Sequence, residues 1–496
     1  MFLLILLSII VVLLTLYYLN GRSNEEYWKK RGVAFYKGNK VAGPFWAFVT
    51  QNRSLFEIFH DIYKQYKNEP AVGIGTFLTP TLYVIDPTNI QHILQADFNS
   101  FHHRGVEFLY EKDLLADNVL FMNGNRWKLM RQSITPLFTS TKLKNMFYIL
   151  DKSAQDFVQL LKDKPKILTE GNTFDTLSTF CSAAIGATVF GITTESVFES
   201  PFLTMARNAL APTMKTNLQF AIAFAFPSAV RRLQLYFFKE HEDLFIGAIK
   251  QVLRQREKEN VKKHDFADIC LSLQKNGTMI DRETGFELEP TDELLAAQGF
   301  FFFTAGVEPT ATAMFCVLVE LGLNPDVLQR VHKEIDETFE KYDSFTYDII
   351  MEMDYVGKVF SEGLRKYPPI GFSSRRCVRD TVLPVGNIKV SKDTQIITPI
   401  FEMHRDPKFY ENPDKFDPER FAEDNKNGEI TYQPFGKGNR LCIGMRYARL
   451  QALTGLVHLL RNFTVKSKVG KGGIKFSKQQ VQVRPVNVDV ELILRK

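Results

Sequence analysis

The chain has 496 residues, of which 45% are hydrophobic and 24% are charged, and its formal net charge is +6. These values are ordinary for a folded globular protein, and so mild a charge on so long a chain gives no case for nucleic-acid binding. The five cysteines form no CxxC pair, which argues against a disulfide framework or a zinc site and favours a reducing compartment.

The chain begins with an apolar segment long enough to cross a membrane. Residues 2–19 are apolar except for one serine and one threonine, and about 18 residues at roughly 1.5 Å each span a thin bilayer. Basic residues follow between Arg22 and Arg31, so the positive-inside rule places the rest of the chain in the cytosol. A cleaved signal peptide is the alternative, but it would have a basic start and a shorter apolar run. We predict an uncleaved anchor over residues 1–20.

The rest of the sequence predicts a mainly α-helical domain with small β-sheets. We expect a polar linker over residues 21–44 and a single domain over residues 45–496, because no repeat or later linker interrupts the chain. Helical periodicity is longest over Asp292–Leu323, which is too interrupted by polar residues to be a second membrane span, and resumes over residues 326–342. Strand-like patterns lie near residues 70–85, 382–399 and 480–494.

A second very apolar stretch covers residues 218–238. Pro227 lies in its middle, and Arg231 and Arg232 follow the proline. A pair of helices hinged at the proline could rest on the bilayer by an aromatic rim. A core hairpin is an equally good interpretation.

The most informative segment surrounds Cys442 and reads Phe-Gly-x-Gly-x-Arg-x-Cys-x-Gly. Its paired glycines permit a tight turn and let the backbone approach a flat ligand closely. Backbone N–H groups of such a turn can stabilise a thiolate, and Arg440 can pair with a carboxylate of the same ligand. A lone cysteine is usually a small buried hydrophobe, but six matched positions favour a ligand role here. They are Phe435, Gly436, Gly438, Arg440, Cys442 and Gly444.

This segment resembles the haem-binding loop of cytochromes P450, and four further signatures occur in the order of that family. The resemblance implies the cytochrome P450 fold, with haem b between a long central helix and the loop that carries Cys442, the thiolate ligand of the iron. The residues it implies for haem binding are Trp127, Arg131, Arg375, Phe435, Arg440 and Cys442, with Arg376 and Arg379 as alternatives to Arg375. A structural ion network is implied for Glu362, Arg365 and Arg420, and a His-Arg-Asp-Pro signature begins at His404.

The central helix departs from the family pattern at one position. The family has Ala-Gly-x-Glu-Thr over the haem, whereas this chain has Ala305 to Glu308 followed by Pro309 and only then Thr310. Proline removes one helical N–H and leaves the carbonyl of Ala305 without its partner. Protons could therefore travel through Thr310, or through water held by Ala305 and Glu308. Poor O–O activation, as in family relatives that rearrange peroxides, is the alternative outcome. Glu308 and Thr310 are the candidate catalytic residues.

The resemblance is strongest to insect microsomal enzymes that process lipophilic foreign compounds. It implies an NADPH- and O2-dependent monooxygenase of lipophilic small molecules such as plant toxins or insecticides, anchored in the endoplasmic reticulum membrane with a cytosolic domain. NADPH–cytochrome P450 reductase would supply electrons. Cytochrome b5 could be a further protein partner, and the anchor would contact membrane lipid. A haem-thiolate isomerase or dehydratase of lipid hydroperoxides, or a haem protein with little activity, remains an alternative.

The resemblance also gives expectations for the substrate pocket and for the reductase-docking face. Apolar pocket walls suit bulky lipophilic substrates. The expected pocket residues are Phe101, Val106, Phe108, Phe121, Phe301, Phe302, Ala305, Ile370 and Phe372. Basic residues expected near the docking face are Arg126, Lys128, Lys437, Arg446 and Arg449.

Overall fold

The computed structural model describes residues 1–170, 172–191, 198, 213–259, 262–263, 265–422, 430–478 and 482–495. These residues form a mainly α-helical structure with several small β-sheets, which confirms the predicted fold class. Residues 480 and 481, at the start of the last predicted strand segment, lie outside the described residues.

The helices of the first half of the chain lie between residues 2 and 232. They are α1 (Phe2–Lys29), α2 (Phe45–Val49), α3 (Leu55–Tyr66), α4 (Pro87–Gln91), α5 (Phe98–Phe101), α6 (Gly124–Ile134), α7 (Ser140–Asp163), α8 (Lys166–Glu170), α9 (Thr173–Phe190), α10 (Met214–Ala225) and α11 (Pro227–Arg232). The helices of the second half are α12 (Glu242–Glu259), α13 (Phe266–Asn276), α14 (Asp292–Leu323), α15 (Pro325–Lys341), α16 (Tyr347–Glu352), α17 (Asp354–Lys366) and α18 (Met445–Asn462).

The strands form one five-stranded sheet and several two-stranded ones. In chain order they are β1 (Ala34–Phe35), β2 (Ala71–Ile74), β3 (Thr81–Val84), β4 (Met279–Ile280), β5 (Glu287–Leu288), β6 (Phe372–Arg376), β7 (Thr381–Leu383), β8 (Ile388–Val390), β9 (Gln395–Pro399), β10 (Phe463–Val469), β11 (Lys475–Phe476), β12 (Pro485–Val486) and β13 (Val488–Leu494). The main sheet has the order β1-β2-β3-β9-β6, and β10 pairs with β13 in antiparallel register from Phe463↔Leu494 to Val469↔Val488. The three predicted strand regions therefore all contain strands.

The long predicted helix is α14, whose bounds match the expected Asp292–Leu323. Thr291 caps its first turn by accepting from the N–H of Leu294 at 3.2 Å, which satisfies a donor that has no partner inside the helix. The helix continues through Pro309, and most of its side chains are buried. It lies closely against α9, because Gly306 has no side chain at the point where a Cβ would lie 2.9 Å from Ile185. α14 is therefore the core helix of the domain rather than a membrane span.

The segment predicted to be a polar linker, residues 21–44, is instead folded onto the domain. α1 continues past the predicted end of the anchor, and β1 joins the main sheet beside β2. Trp28 is 1% exposed, and a Cβ on Gly73 would overlap its ring. The polar residues that suggested a linker make specific contacts, since Asn24 donates from its side chain to the carbonyl of Lys40 at 3.0 Å. The apolar side chains of the preceding part of α1 are exposed, which is consistent with a membrane anchor.

The apolar stretch around Pro227 forms the predicted helix pair. α10 ends at Ala225 and α11 begins at Pro227, so the proline occupies the first helical position, where its missing N–H costs nothing. Ala223 and Val230 are buried, whereas Leu218 and Leu233 are 47% and 61% exposed. The pair thus packs one side on the domain and leaves apolar side chains outside. Contact with a membrane stays a prediction.

Trp28 supplies a test of this fold. We expect Trp28→Ala to lower the free energy of unfolding by about 3–5 kcal/mol, the usual cost of deleting a buried large aromatic side chain. Deletion of residues 2–16, which leaves Trp28 and its neighbours in place, is the matched control and should change that free energy little. Chemical denaturation of the detergent-solubilised protein measures both. Equal losses in the two variants would mean that Trp28 does not belong to the core.

Candidate active site

The loop before α18 holds Cys442 by a series of backbone hydrogen bonds. The N–H of Gly436 donates to the carbonyl of Gln433 at 3.0 Å, and the N–H of Cys442 donates to the carbonyl of Phe435 at 2.9 Å. Gly438 has φ +71°, and a Cβ on it would overlap the carbonyl oxygen of Leu94. Only glycine can adopt this conformation at this closeness without strain, so the predicted tight turn is present.

The sulfur of Cys442 lies in an environment that both hinders and supports a thiolate. Burial raises the pKa of the thiol, while the N–H of Gly444 and the guanidinium groups of Arg131 and Arg104 lower it. The side chain is nevertheless exposed. Of the five thiols, Cys442 is therefore the one that a ligand can reach. The other four cysteines (Cys181, Cys270, Cys316 and Cys377) are buried.

Four arginines lie close together near the loop that carries Cys442, and two of them act on its sulfur. Arg131 donates to the carbonyl of Leu441 at 2.7 Å, and Arg104 donates to the carbonyl of Arg440 at 3.3 Å. Arg440 donates to the carbonyl of Met122 at 2.9 Å, and its guanidinium lies 4.0 Å from the centre of the Trp127 ring. Arg375, the fourth member, donates to the hydroxyl of Ser373 at 2.9 Å and to a backbone carbonyl. We call Arg104, Arg131, Arg375 and Arg440 the arginine cluster.

The arginine cluster lacks a negative partner within the described residues. Burial and mutual repulsion lower the pKa of Arg104 to about 10, of Arg375 to about 9 and of Arg440 to about 7. Nitrogen atoms of the same three side chains (Arg104 Nε, Arg375 Nε and Arg440 Nη1) are buried without a hydrogen-bond partner in the protein. Buried cations need counter-charges, because an unpaired charge is costly in a low-dielectric interior. The residues therefore fit a ligand with two carboxylates that also presents a metal to the sulfur, which is the chemistry of haem.

Arg375 is the one of the three predicted alternatives that joins the cluster. It is 2% exposed. Arg376 points elsewhere, to Glu107 at 3.0 Å and Asp393 at 2.9 Å. Arg379 is 61% exposed and pairs with Asp97. The latter two already have carboxylate partners, so Arg375 is the residue that could bind a carboxylate of the ligand.

α14 passes this site and presents an accessible stripe in an otherwise buried helix. Phe301, Thr304, Glu308 and Pro309 are half-buried and Ala305 is exposed, while their neighbours are buried. This spacing of three and four residues is that of one helix face. The ring of Phe138 packs at 5.3 Å against that of Phe302, and a Cβ on Gly444 would lie 3.7 Å from the same Phe138 ring. One phenylalanine thus bridges α14 and the end of the loop that carries Cys442.

The two candidate catalytic residues lie on different faces of α14. A carboxylate oxygen of Glu308, on the accessible stripe, is 3.7 Å from Nη1 of Arg484, which comes from the segment before β12. Thr310 is 4% exposed and lies one turn beyond Gly306, on the face that packs against α9. The roles of both residues stay predictions, but only Glu308 shares the face of Ala305.

The expected pocket residues fall into two groups. Ala305 and Ile370 are exposed, and Val106, Phe121, Phe301 and Phe372 are half-buried. Phe101 is completely buried in the core beside the main sheet, and Phe302 packs edge-on against Phe266 as well as Phe138. Core packing is the role that the structure supports for these two. Phe108 is 9% exposed and belongs to a separate aromatic cluster.

Beneath the site, Glu362 and its two arginines form the predicted network. Arg365 donates to both carboxylate oxygens of Glu362, at 2.7 and 2.9 Å, and Nε of Arg420 lies 3.5 Å from the same carboxylate. Arg365 also donates to the carbonyl of His404 at 2.7 Å. His404 in turn accepts from the N–H of Gln433 at 2.8 Å. The network is therefore joined to the start of the loop that carries Cys442.

Some residues of the site had no signal strong enough to be found in the sequence. Arg104 stands in no motif and reaches the arginine cluster from a loop 27 residues before Arg131. Arg484 lies beyond the last recognised signature, and its pairing with Glu308 depends on tertiary packing. The sequence predicted a signature that begins at His404, but it gave the imidazole itself no role.

The expected docking residues are mostly engaged in the structure. Arg126 pairs with Asp117, and Lys128 lies 2.5 Å from Glu283 and 3.4 Å from Asp281. Arg449 is half-buried against α17. Arg446 is exposed and donates to the hydroxyl of Ser140, while Lys437 is half-buried and has interactions of its own. Any docking role of these residues stays a prediction.

A mainly helical fold, one exposed thiol among four buried ones, and buried arginines near it without carboxylate partners are the features of a haem-thiolate protein. Comparisons with known proteins agree with this class. The sequence model of the family described as "Cytochrome P450" matches residues 39–492. The chain belongs to the cytochrome P450 family, whose members are monooxygenases.

Relatives with similar sequences come from several insects. The chain is 31% identical to cytochrome P450 6B7 of Helicoverpa armigera, over 99% of this chain and 98% of that protein. It is 33% identical to cytochrome P450 6k1 of Blattella germanica, over 93% and 91%. The probable cytochrome P450 6a13 of Drosophila melanogaster is 32% identical, over 95% and 96%. The similarity therefore extends over nearly the full length of each chain.

Arg104 is the residue of the arginine cluster that the sequence did not predict, and it supplies a test. We expect Arg104→Met to weaken haem retention, because loss of one buried charge contact costs about 2–5 kcal/mol. The rate of haem transfer to excess apomyoglobin measures retention. Arg379→Met, which removes an exposed arginine paired with Asp97, is the matched control. If both variants release haem at the wild-type rate, Arg104 does not contact the ligand.

Proposed function

We propose that this chain is a membrane-anchored P450 monooxygenase that oxidises lipophilic small molecules, with Cys442 as the thiolate ligand of haem b. The observation that carries the proposal is the arginine cluster beside the sulfur. Its unpaired guanidinium groups match the two propionates of haem, and Cys442 is the accessible thiol among the five. Phe435 and Trp127, the latter stacked on Arg440, complete the predicted haem contacts.

The bound haem would supply oxygen activation, which a thiolate ligand favours. The protein would contribute three things. The arginine cluster would hold the propionates by charge-assisted hydrogen bonds. The N–H of Gly444 would stabilise the negative sulfur, as would the N-terminal end of α18, which begins one residue later. The accessible stripe of α14 would control how much water reaches the substrate.

We further propose that protons reach the site through Glu308 and through water held by the carbonyl of Ala305. Pro309 has no N–H, so this carbonyl lacks its helical donor and is free to accept from water. Both residues lie on the accessible stripe, and Arg484 holds the Glu308 carboxylate at one end of it. Thr310, on the face toward α9, is the less favourable donor.

The substrate class and the partners follow from the family resemblance and the surface of the chain. Half-buried apolar residues near the stripe suit bulky lipophilic compounds, and foreign compounds such as plant toxins or insecticides are the proposed substrates. Electrons would come from NADPH through NADPH–cytochrome P450 reductase, with cytochrome b5 as a further partner. The exposed apolar part of α1 would anchor the protein in the endoplasmic reticulum membrane, with the domain in the cytosol.

The decisive experiment compares two assays on the purified full-length protein. A monooxygenase should oxidise lipophilic probes only with NADPH and reductase, and its reduced carbon monoxide complex should show the thiolate-haem absorption. Cys442→Ala should abolish that absorption, whereas Cys377→Ala, which removes a buried thiol of the sheet region, should retain it. Turnover of lipid hydroperoxides without NADPH would instead support the isomerase alternative. A thiolate spectrum without turnover in either assay would leave a haem protein with little activity.

Variants of α14 test the proposed proton route. We expect Glu308→Gln to reduce the coupling of NADPH consumption to product by about tenfold or more, since positioned acids typically contribute 10²–10⁴-fold. Thr310→Val should reduce coupling less than Glu308→Gln does, because Thr310 faces α9. Pro309→Thr should change coupling, since it restores the helical N–H and adds a hydroxyl on the accessible stripe. A larger effect at Thr310 than at Glu308 would overturn the proposed route.

A further inference from the structure

A group of phenylalanines joins two separate parts of the chain, residues 108–121 and residues 220–238. The ring of Phe108 lies 4.2 Å from that of Phe121, 4.8 Å from Phe237 and 6.3 Å from Phe220. Phe238 lies 6.0 Å from Phe121. We call Phe108, Phe121, Phe220, Phe237 and Phe238 the phenylalanine wall. Its members come from the loop before α6, from α10 and from the segment before α12.

The phenylalanine wall connects the candidate active site with the outer helix pair. On the inner side, Phe238 packs edge-on against Phe300 of α14 at 5.1 Å. Phe121 directly precedes Met122, whose carbonyl accepts from Arg440. On the outer side, Phe220 belongs to α10, where the partly exposed apolar surface lies. A bulky apolar molecule that moves between the outer helices and the accessible stripe would therefore pass this wall.

Two carboxylates connect the two segments that form the wall, and each binds backbone N–H groups of the segment opposite to its own. Asp113, which is completely buried in the loop before α6, accepts from the N–H of Phe237 at 2.6 Å and from that of Phe238 at 3.2 Å. In the opposite direction, Glu242 at the start of α12 accepts from the N–H of Leu114 at 2.6 Å. Each segment thus places a carboxylate on backbone donors of the other. We call these contacts of Asp113 and Glu242 the carboxylate clasp.

Asp113 is the member of the carboxylate clasp whose pKa the surroundings shift. Burial and the nearby carboxylate of Glu242 raise the pKa of Asp113 to about 6, while the two N–H groups and Lys239 oppose this rise. Asp113 is therefore mostly ionised near pH 7. Hydrogen bonds to an ionised acceptor are stronger than those to a neutral one. The aromatic contacts of the wall do not have directional bonds of this kind, so the clasp fixes the distance between the two segments.

We propose that Asp113 and Glu242 are positioning residues that hold the phenylalanine wall closed and thereby slow the entry of bulky apolar ligands relative to that of small ones. Small ligands would reach the stripe without opening the wall, whereas large ones would require the two segments to separate. Both carboxylates bind backbone N–H groups of the opposite segment, so they would act on the wall itself. The inference rests on the proposed function only in placing the substrate pocket beside the wall.

The experiment uses the full-length holoenzyme and two probes that bind haem iron through an imidazole nitrogen, imidazole itself and the bulky triaryl compound clotrimazole. Stopped-flow measurement of the Soret shift gives the association rate of each. Asp113→Ala and Glu242→Ala should raise the clotrimazole rate by about tenfold, as expected for loss of charge-assisted hydrogen bonds, and leave the imidazole rate unchanged. Asp113→Asn and Glu242→Gln, which each keep one acceptor oxygen, should give intermediate rates.

The matched control is Lys112→Met. Lys112 is next to Asp113 and bridges the same two segments by donating to the exposed Gln234 at 2.8 Å, outside the wall. Lys112→Met should leave the association rates of clotrimazole and imidazole unchanged. Amide hydrogen exchange of peptides covering residues 233–242 provides a second measurement, in which both Asp113 variants should exchange faster than the wild type and Lys112→Met should not.

Several results would overturn the inference. Folded Asp113 variants with wild-type clotrimazole rates, or with equal changes for both probes, would show that the clasp does not control the passage of bulky ligands. If Asp113→Ala fails to fold, Asp113→Asn and Glu242→Gln decide by the same criteria. Absence of any Soret shift in the wild type would contradict the proposed function instead. In that case unchanged amide exchange in the variants would separately refute the clasp.

Discussion

Uncompensated positive charge in the interior is the constraint on which the rest of this structure depends. Four guanidinium groups lie near one thiol in a medium of low dielectric constant. Burial, and after it the repulsion among these groups, lowers the pKa values of Arg104, Arg375 and Arg440. A ligand that binds only the folded state stabilises it by mass action. A dianionic ligand in this place would therefore offset the cost of burying these charges, and the stability of the fold should depend on the binding of its cofactor.

The loop that carries Cys442 is held by a second set of buried polar groups, and this set is fully paired at its centre. Arg365 connects Glu362 to the backbone of His404, and His404 connects both to Gln433 at the start of the loop. Burial and the positive charge of Arg365 lower the pKa of His404 to about 3. The imidazole is therefore neutral, with Nε2 accepting from Gln433 and Nδ1 free to donate to the carbonyl of Arg365 at 3.1 Å. A protonated imidazole could not accept from the N–H of Gln433. The link between His404 and the loop that carries Cys442 therefore requires a neutral ring.

The sequence predicted those parts of the site that lie in compact motifs. Arg440 and Cys442 share one loop, and Glu362 and Arg365 share one helix face, so short-range spacing was sufficient for them. Arg104 and Arg484 could not be predicted, because their partners are distant in the chain and a single arginine has no pattern of its own. The packing of Trp28 was hidden for another reason: polar composition indicates a linker, but it does not reveal whether the polar groups find partners in a fold.

Pro309 illustrates how packing can permit what local propensity opposes. A proline inside a helix costs roughly 3 kcal/mol or more, yet α14 continues through it for another 14 residues to Leu323. Each fully buried large apolar side chain contributes about 1.5–3 kcal/mol, so a few residues such as Phe300, Phe303 and Leu318 are enough to offset the proline. The burial of α14 therefore outweighs the destabilisation that Pro309 causes. The carbonyl that the proline leaves without a helical N–H partner belongs to Ala305, on the accessible stripe and one turn from Glu308, the proposed proton donor. The same substitution that removes a hydroxyl thus creates an acceptor for water at the place where a proton route would need one.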